Sequence, residues 1–296
     1  MNFVSKYENL LNNKLIEIVK KKSIAYRISD EIIAKSPFSV AYGMQRDDAN
    51  DKLLFEKSEL PLKLYQITTS LSEEFIQDLE KIFNERSVEE ILLKYIENDL
   101  IYKIDKDLID MLVASANSQS SLTLKGSDFA NRIETAALAI LTKITSALGK
   151  FALSDNKSAL GFAIVNRDVG ALINSLNAKT GGQTQDDGSP SYIGRFAGID
   201  VYIDYTREVD SSGTDAVIFG TKGDGVTQGS VQLQRYPEVT SLRVMNPASG
   251  EPTISYFYRV GMCINPLDKI YTNNGSDSQF VGKFDCDLSQ MIPFNS

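Results

Sequence analysis

Histidine and tryptophan are absent from this 296-residue chain, and cysteine occurs only as Cys263 and Cys286. Without histidine, Ser-His-Asp and Cys-His nucleophiles, histidine-ligated metals and an imidazole base are excluded. Carboxylate, lysine and tyrosine chemistry stay open. Two lone cysteines make neither a zinc pattern nor a disulfide framework; they read as reduced thiols of a cytoplasmic protein. No apolar run approaches the ~20 residues a membrane helix needs. The opening MNFVSKYENLLNNKLIEIVKKK mixes acids and amides into its apolar positions, unlike a signal peptide.

Glycine is scarce in the first half: before Gly149 only Gly43 and Gly126 occur, and no proline falls between Leu62 and Ser189. Long helices are therefore expected early, and strands and turns later. The net charge of −8 is unevenly spread. Residues 71–110 hold twelve acids against five bases, whereas residues 1–35 hold seven bases against four acids. A basic arm and an acidic helical region attract each other within or between subunits, or are simply two solvated helix faces; the weakness of surface pairs favours the second. No basic patch is interleaved with aromatics, which argues against a dedicated nucleic-acid binder.

Residues 3–34 read as one amphipathic helical arm, with Leu10, Leu11, Leu15, Ile18 and Val19 at helical spacing. Ser36-Pro37 breaks it. FSVAYGMQ (38–45), a polar turn at 46–52 and a return strand at 53–57 read as a long hairpin. LKLYQITT (62–69) is a strand leading into a helix capped by Ser70 or Ser72 that runs to about Asn84. Ser87 with Glu90 forms a capping box for a helix reaching Ala116, about 43 Å long. Its apolar residues make two stripes, Ile91-Leu92-Tyr95-Tyr102 and Ile96-Leu100-Ile104-Leu108, as suits a strut across a structure. An alanine-rich helix capped by Ser127 or Asp128, a buried strand in LGFAIVNRD and a short helix capped by Asn166 or Asp168 follow. Residues 177–191 form a polar glycine-rich loop. Strands are expected at 199–205, 215–219, 231–235 and 239–245. SYFYRVGMCINPL (255–267) alternates strongly, with Tyr256, Tyr258, Val260, Met262 and Ile264 on one face, and Asn265-Pro266 stops it.

Chemistry-bearing motifs are weak. GTKGDG (220–225) is not a phosphate loop, since it lies between strands and does not open a helix. DSSGTD and TQDDGS lack the spacing and terminal glutamate of a calcium loop. Glu97, Asp105, Asp107 and Asp110 allow a catalytic carboxylate pair, but exposed helix charge is the better reading. No cofactor or metal is implied.

The order of elements resembles the major capsid proteins of tailed bacteriophages, with their Hong Kong 97-type shell fold. LPLKLYQITTSLSEEFIQDL resembles that family's lead-in to its spine helix, ALGFAIVNRDVGALINSL its strand, corner and helix segment, and YPEVTSLRVMNPASGEPTISYFYRVGMCINPL its late hairpin. The last of these, with SPFSVAYGMQ, is most similar to the T-even contractile-tailed branch. Residues 38–57 leave no room for that branch's insertion domain, no head-protease cleavage point is visible, and no lysine–asparagine cross-link is assignable.

The resemblance implies an α+β fold with an N-terminal arm (1–35), an extended hairpin loop (36–61), a peripheral domain of spine helix and antiparallel sheet (62–153 and 236–296) and an axial α/β domain (154–235). It implies a non-enzymatic subunit that self-assembles into hexamers and pentamers of an icosahedral virion shell around DNA contacted without sequence specificity. Assembly would take place in the host cytoplasm and away from membranes, with scaffold, portal, vertex and decoration proteins as further partners. Expected subunit contacts are Phe38, Tyr42, Met44, Arg46, Asp47 and Asp48 on the outgoing side of the hairpin and Lys52, Phe55 and Lys57 on the return. Lys20, Lys21 and Lys22 of the arm join them, as do Asp186, Asp187, Arg207, Lys222 and Asp224 of loops meeting at ring axes. A vertex subunit or an encapsulin-like nanocompartment shell shares this fold. A carboxylate-based hydrolase and a tail connector ring are the readings from other classes.

Overall fold

The computed structural model describes residues 13–34, 38–47, 52–70, 85–124, 133–154, 161–180, 189–207, 215–223, 229–237, 239–245, 252–269 and 278–288. The helix expected at 70–84, the caps at Ser127 and Asp128, and Asp48, Asp186, Asp187 and Asp224 lie outside these residues.

The strongest alternating run in the sequence becomes the central strand of a five-stranded sheet. β13 (Pro252–Ile264) pairs antiparallel with β4 (Lys63–Ser70), and with β12 (Thr240–Met245) and β11 (Val231–Arg235) in turn. β1 (Asp30–Ile33) adds a parallel edge beyond β11. Alternation sends Tyr256, Tyr258 and Val260 inward beside Tyr65 and Ile67 of β4. There they meet the long helix Glu85–Ser115, whose Ile96, Leu100, Ile104, Leu108 and Leu112 are buried in the same cluster. Of the two expected stripes, this one is core. Tyr95 and Tyr102 of the other are 72% and 40% exposed. The helix begins at Glu85, so Ser87 is a helical residue and not the expected N-cap.

A second sheet runs in the order β5-β14-β10-β7-β9-β8: β5 (Asn117–Ser118), β14 (Val281–Phe284), β10 (Val217–Thr221), β7 (Gly161–Val165), β9 (Ile199–Ile203) and β8 (Tyr192–Phe196). Parallel β7 and β9 are joined through the helix Arg167–Thr180, whose Val169 N–H bonds the Asn166 side chain at 2.9 Å, so Asn166 is the cap. That helix reaches Thr180, four residues into the expected loop. β8 turns into β9 through Ala197 and Gly198, both at positive φ, as a two-residue hairpin turn requires. The helix Ile133–Ser154 packs here, in a cluster with Phe219, Phe284 and Ile173. Two short strands, β6 (Leu122–Thr123) and β15 (Cys286–Asp287), pair in parallel.

Sheet membership departs from the division read in the sequence. Val231–Arg235, assigned to the axial unit, pairs in the first sheet, while Ile133–Ser154 and Val281–Phe284 belong with the second. The arm differs too. It is helical over 13–22, breaks at Ser23, resumes as Ile24–Ile28 and ends in β1, with Leu15, Val19, Ile24 and Ile28 fully buried. It is a layer of the core. β2 (Phe38–Asp47) and β3 (Lys52–Pro61) form the expected hairpin, in continuous register from Phe38↔Pro61 to Asp47↔Lys52 and about 34 Å long.

The stripe assignment has a direct test. Leu108→Ala should destabilise the unassembled subunit by about 2–5 kcal/mol in urea unfolding, whereas Tyr95→Ala should stay within about 0.5 kcal/mol.

Candidate assembly surface

Strand alternation gives the hairpin two unlike faces. Ala41 and Leu60 are buried against the body, and Gly43 is buried with them. A Cβ on Gly43 would come within 2.7 Å of Asn265 and Leu267, so only glycine allows this approach. The other face holds Tyr42 (45% exposed), Met44 (52%) and Phe55 (54%), with the Tyr42 and Phe55 rings 5.4 Å apart. Met44 lies opposite Phe55, and exposed Lys57 opposite Tyr42. The structure therefore gathers four of the expected contact residues into one outward patch. Phe38, Arg46, Asp47 and Lys52 are placed by backbone pairing, opposite Pro61, Leu53, Lys52 and Asp47 respectively.

The basic arm meets the acidic helix inside the same subunit. Lys22 bonds Glu97, Lys20 bonds Glu31 at 2.7 Å, and Arg235 bonds Glu31 from β11. Burial would raise the Glu31 carboxyl, but these two cations outweigh it and hold it below the ordinary range. Lys21 is exposed, and its carbonyl accepts from Arg27 at 3.1 Å.

Glu97 and Asp105 are 3% and 0% exposed, which corrects the reading of these acids as solvated helix charge. Asp105 accepts from Ser23 Oγ (2.6 Å), the Ala25 and Ile24 N–H groups (3.1 and 3.2 Å) and the Tyr205 hydroxyl (2.7 Å). One carboxylate thus caps the Ile24–Ile28 helix from outside it, supplying acceptors for N–H groups that have none within the helix. Complete burial pushes this carboxyl up to about 6 against the pull of its four hydrogen bonds. Asp107 faces outward to Lys63 (2.5 Å) and Tyr65 (2.6 Å), and Asp110 is exposed.

Two expected loop contacts hold internal partners. Arg207 bonds Asp204 and the Asp215 carbonyl (3.2 Å), and Lys222 reaches Asp200 at 3.2 Å, which Arg195 also holds. Gly223 of GTKGDG and Gly229 beyond it have a local reason. Gly229 N–H bonds Asp30 at 2.7 Å, and a Cβ on Gly223 would lie within 1.9 Å of the same carboxylate. Both glycines lie against an arm residue.

Among the described residues, catalytic groups are not assembled at this surface. Glu97 and Asp105 stand eight residues apart on one helix, a rise of about 12 Å, and both are engaged by the chain's own donors. Burial pushes the Cys263 thiol up to about 11 and Cys286 up to about 12, leaving little thiolate at neutral pH. Among the described residues no three His, Cys, Asp or Glu side chains gather to hold a metal ion, and no helix is long and apolar enough to cross a membrane. A hollow of about 660 Å³ opens between the arm and the long helix, lined by Lys22, Asn98, Ile101, Tyr102, Pro190 and Tyr205.

The family described as "Major capsid protein Gp23" matches residues 21–286. The virus-like particle from Pyrococcus furiosus is similar in structure, with a TM-score of 0.56 at 12% identity over 93% of this chain and 97% of that one. So is the capsid of an empty GTA particle (0.57, 13%, 90% of each chain) and Mycobacterium phage Cain (0.56, 10%, 90% and 91%). No curated protein matches this chain significantly.

Asp105 carries a sign-definite pH dependence. Its folded value lies above the unfolded one, so its stabilising contribution is complete below about pH 4 and is lost as pH rises through about 6. Urea unfolding from pH 4 to 7 should show wild type losing on the order of 2–3 kcal/mol from this group that Asp105→Asn does not lose. Asp105→Ala should cost most at pH 4, where buried donors are stranded at about 1–3 kcal/mol each, and less toward pH 7 as wild type loses its own share.

Proposed function

Because the chain belongs to the family of the major capsid protein Gp23, we propose that its exposed hairpin reaches over an adjacent copy to build an icosahedral head of hexamers and pentamers around packaged DNA. It is a structural protein and not an enzyme: it forms the head shell of a phage, is a component of the virion, and has the α+β shell fold of Hong Kong 97-type capsids. The branch it fits is the T-even contractile-tailed one, a reading supported by the Gp23 match over residues 21–286. Assembly takes place in the host cytoplasm, with scaffold, portal, vertex and decoration proteins as further partners and no sequence-specific contact to DNA.

The observation carrying the hairpin's role is its two-faced character. A ribbon covered by its own subunit on one side and bearing Tyr42, Met44 and Phe55 half-exposed on the other is unfinished as a monomer. Apolar burial at about 25 cal/mol per Å² makes each such contact modest, and closed symmetry repeats it over every copy. The backbone-placed Arg46, Asp47 and Lys52 extend the contact toward the tip, and Lys57 and Phe38 extend it toward the base. The loops carrying Arg207 and Lys222 are proposed to meet around ring axes, braced by the internal pairs that hold those side chains.

Electron microscopy of the purified protein tests both parts. Wild type should give closed shells, and nucleic acid inside shells from infected cells, as opposed to protein cargo, separates a phage head from a nanocompartment. Tyr42→Asp combined with Phe55→Asp should leave the subunit folded by circular dichroism yet raise the concentration needed for assembly at least tenfold, about 1.4 kcal/mol per contact. Shells at the wild-type concentration would refute the hairpin contact.

A further inference from the structure

The hairpin's seat is made by side chains. Among the described residues, β2 and β3 pair with each other and with no third strand. Gln232 and Gln234 of β11, each 1% exposed, donate from Nε2 to the carbonyls of Tyr42 (2.6 Å) and Val40 (3.0 Å). The spacing is two residues on both strands, so the amides step in phase with β2. Beside them Gly43 lies against Asn265 and Leu267.

This grip is incomplete. The Oε1 atoms of both glutamines are buried without a hydrogen-bond partner. Native interiors satisfy nearly all such groups, and a buried acceptor with no donor opposes the state that buries it. Apolar side chains of similar volume would fill the same space and remove these two acceptors, but would take the donors away from the Tyr42 and Val40 carbonyls. Two glutamines do what leucines would not: they fix which carbonyls of β2 face the body, and they favour water if the hairpin lifts.

We propose that Gln232 and Gln234 are positioning residues for assembly, setting the angle at which the hairpin leaves the subunit while keeping the seat releasable. The inference rests on the hairpin's reach to a second copy and adds how that reach is aimed. Met44 and Phe55 lie just beyond the seat, so a small rotation at Val40 and Tyr42 is magnified along the strands toward the tip.

Spin labels at Lys57→Cys and Thr240→Cys, in a Cys263→Ala background with buried Cys286 left in place, report the distance from hairpin to sheet in subunits below their assembly concentration. With both glutamines present the distance should be single and narrow. With Gln232→Leu and Gln234→Leu it should broaden or shift, the thermal midpoint should move little, and the yield of closed, uniform shells should fall at least tenfold. An unchanged narrow distance overturns the positioning role. A changed distance with normal shells instead refutes the hairpin's part in assembly and leaves the seat standing. Release is read separately, without altering the glutamines: a cysteine replacing buried Ala41 should react with a thiol reagent at least tenfold faster than Cys286. A rate equal to that of Cys286 overturns release, and this measurement decides even if the leucine variant fails to fold.

Discussion

One buried carboxylate fastens three parts of this chain that are distant in sequence. Asp105 stands in the middle of the long helix and receives donors from the arm at Ser23, Ile24 and Ala25 and from Tyr205, just past β9. The arm's apolar residues drive it onto the helix without choosing a register. The carboxylate chooses one, because a helix start offers its free N–H groups at a single place. From there Lys22 finds Glu97, Ser189 Oγ finds the Lys22 carbonyl at 2.7 Å, and β1 is delivered to the edge of β11 with Asp30 beside Gly223 and Gly229. Much of the subunit's rear layer follows from that point of attachment.

The front of the subunit is organised by an opposite rule. Away from the glutamine seat, the described part of the body is largely self-satisfied: its two sheets have filled inner faces, Arg207 and Lys222 hold internal partners, and Cys286 is buried. The hairpin is left with an aromatic and methionine face toward solvent. A protein whose product is geometry gains from this arrangement, with a tile fixed by internal contacts and an apolar face left open on a projection.

Elements that alternate or run long were legible from residues alone. β13 was readable because Tyr256, Tyr258, Val260, Met262 and Ile264 keep one parity, and the long helix because proline and glycine are missing over that span. Burial of acids was not read, although the signal was present: positions 97, 101, 105, 108 and 112 recur at four- and three-residue steps, which puts both acids on the apolar stripe. VQLQR alternates like a strand with one wet face, yet all five residues are buried because the hairpin covers the polar side. The break at Ser23 is a tertiary decision, made by Asp105 some eighty residues away. The placement of Val281–Phe284 in the second sheet had no local cue, since four residues carry too little pattern to name their neighbours.

That last strand bears on how the protein is made. β14 fills the gap between β10 and the short β5, joining residues near 282 to partners near 219 and 117. Contacts of such separation form slowly and cannot form until residues 281–284 have left the ribosome. Products truncated before residue 281 therefore lack β14 and a finished second sheet.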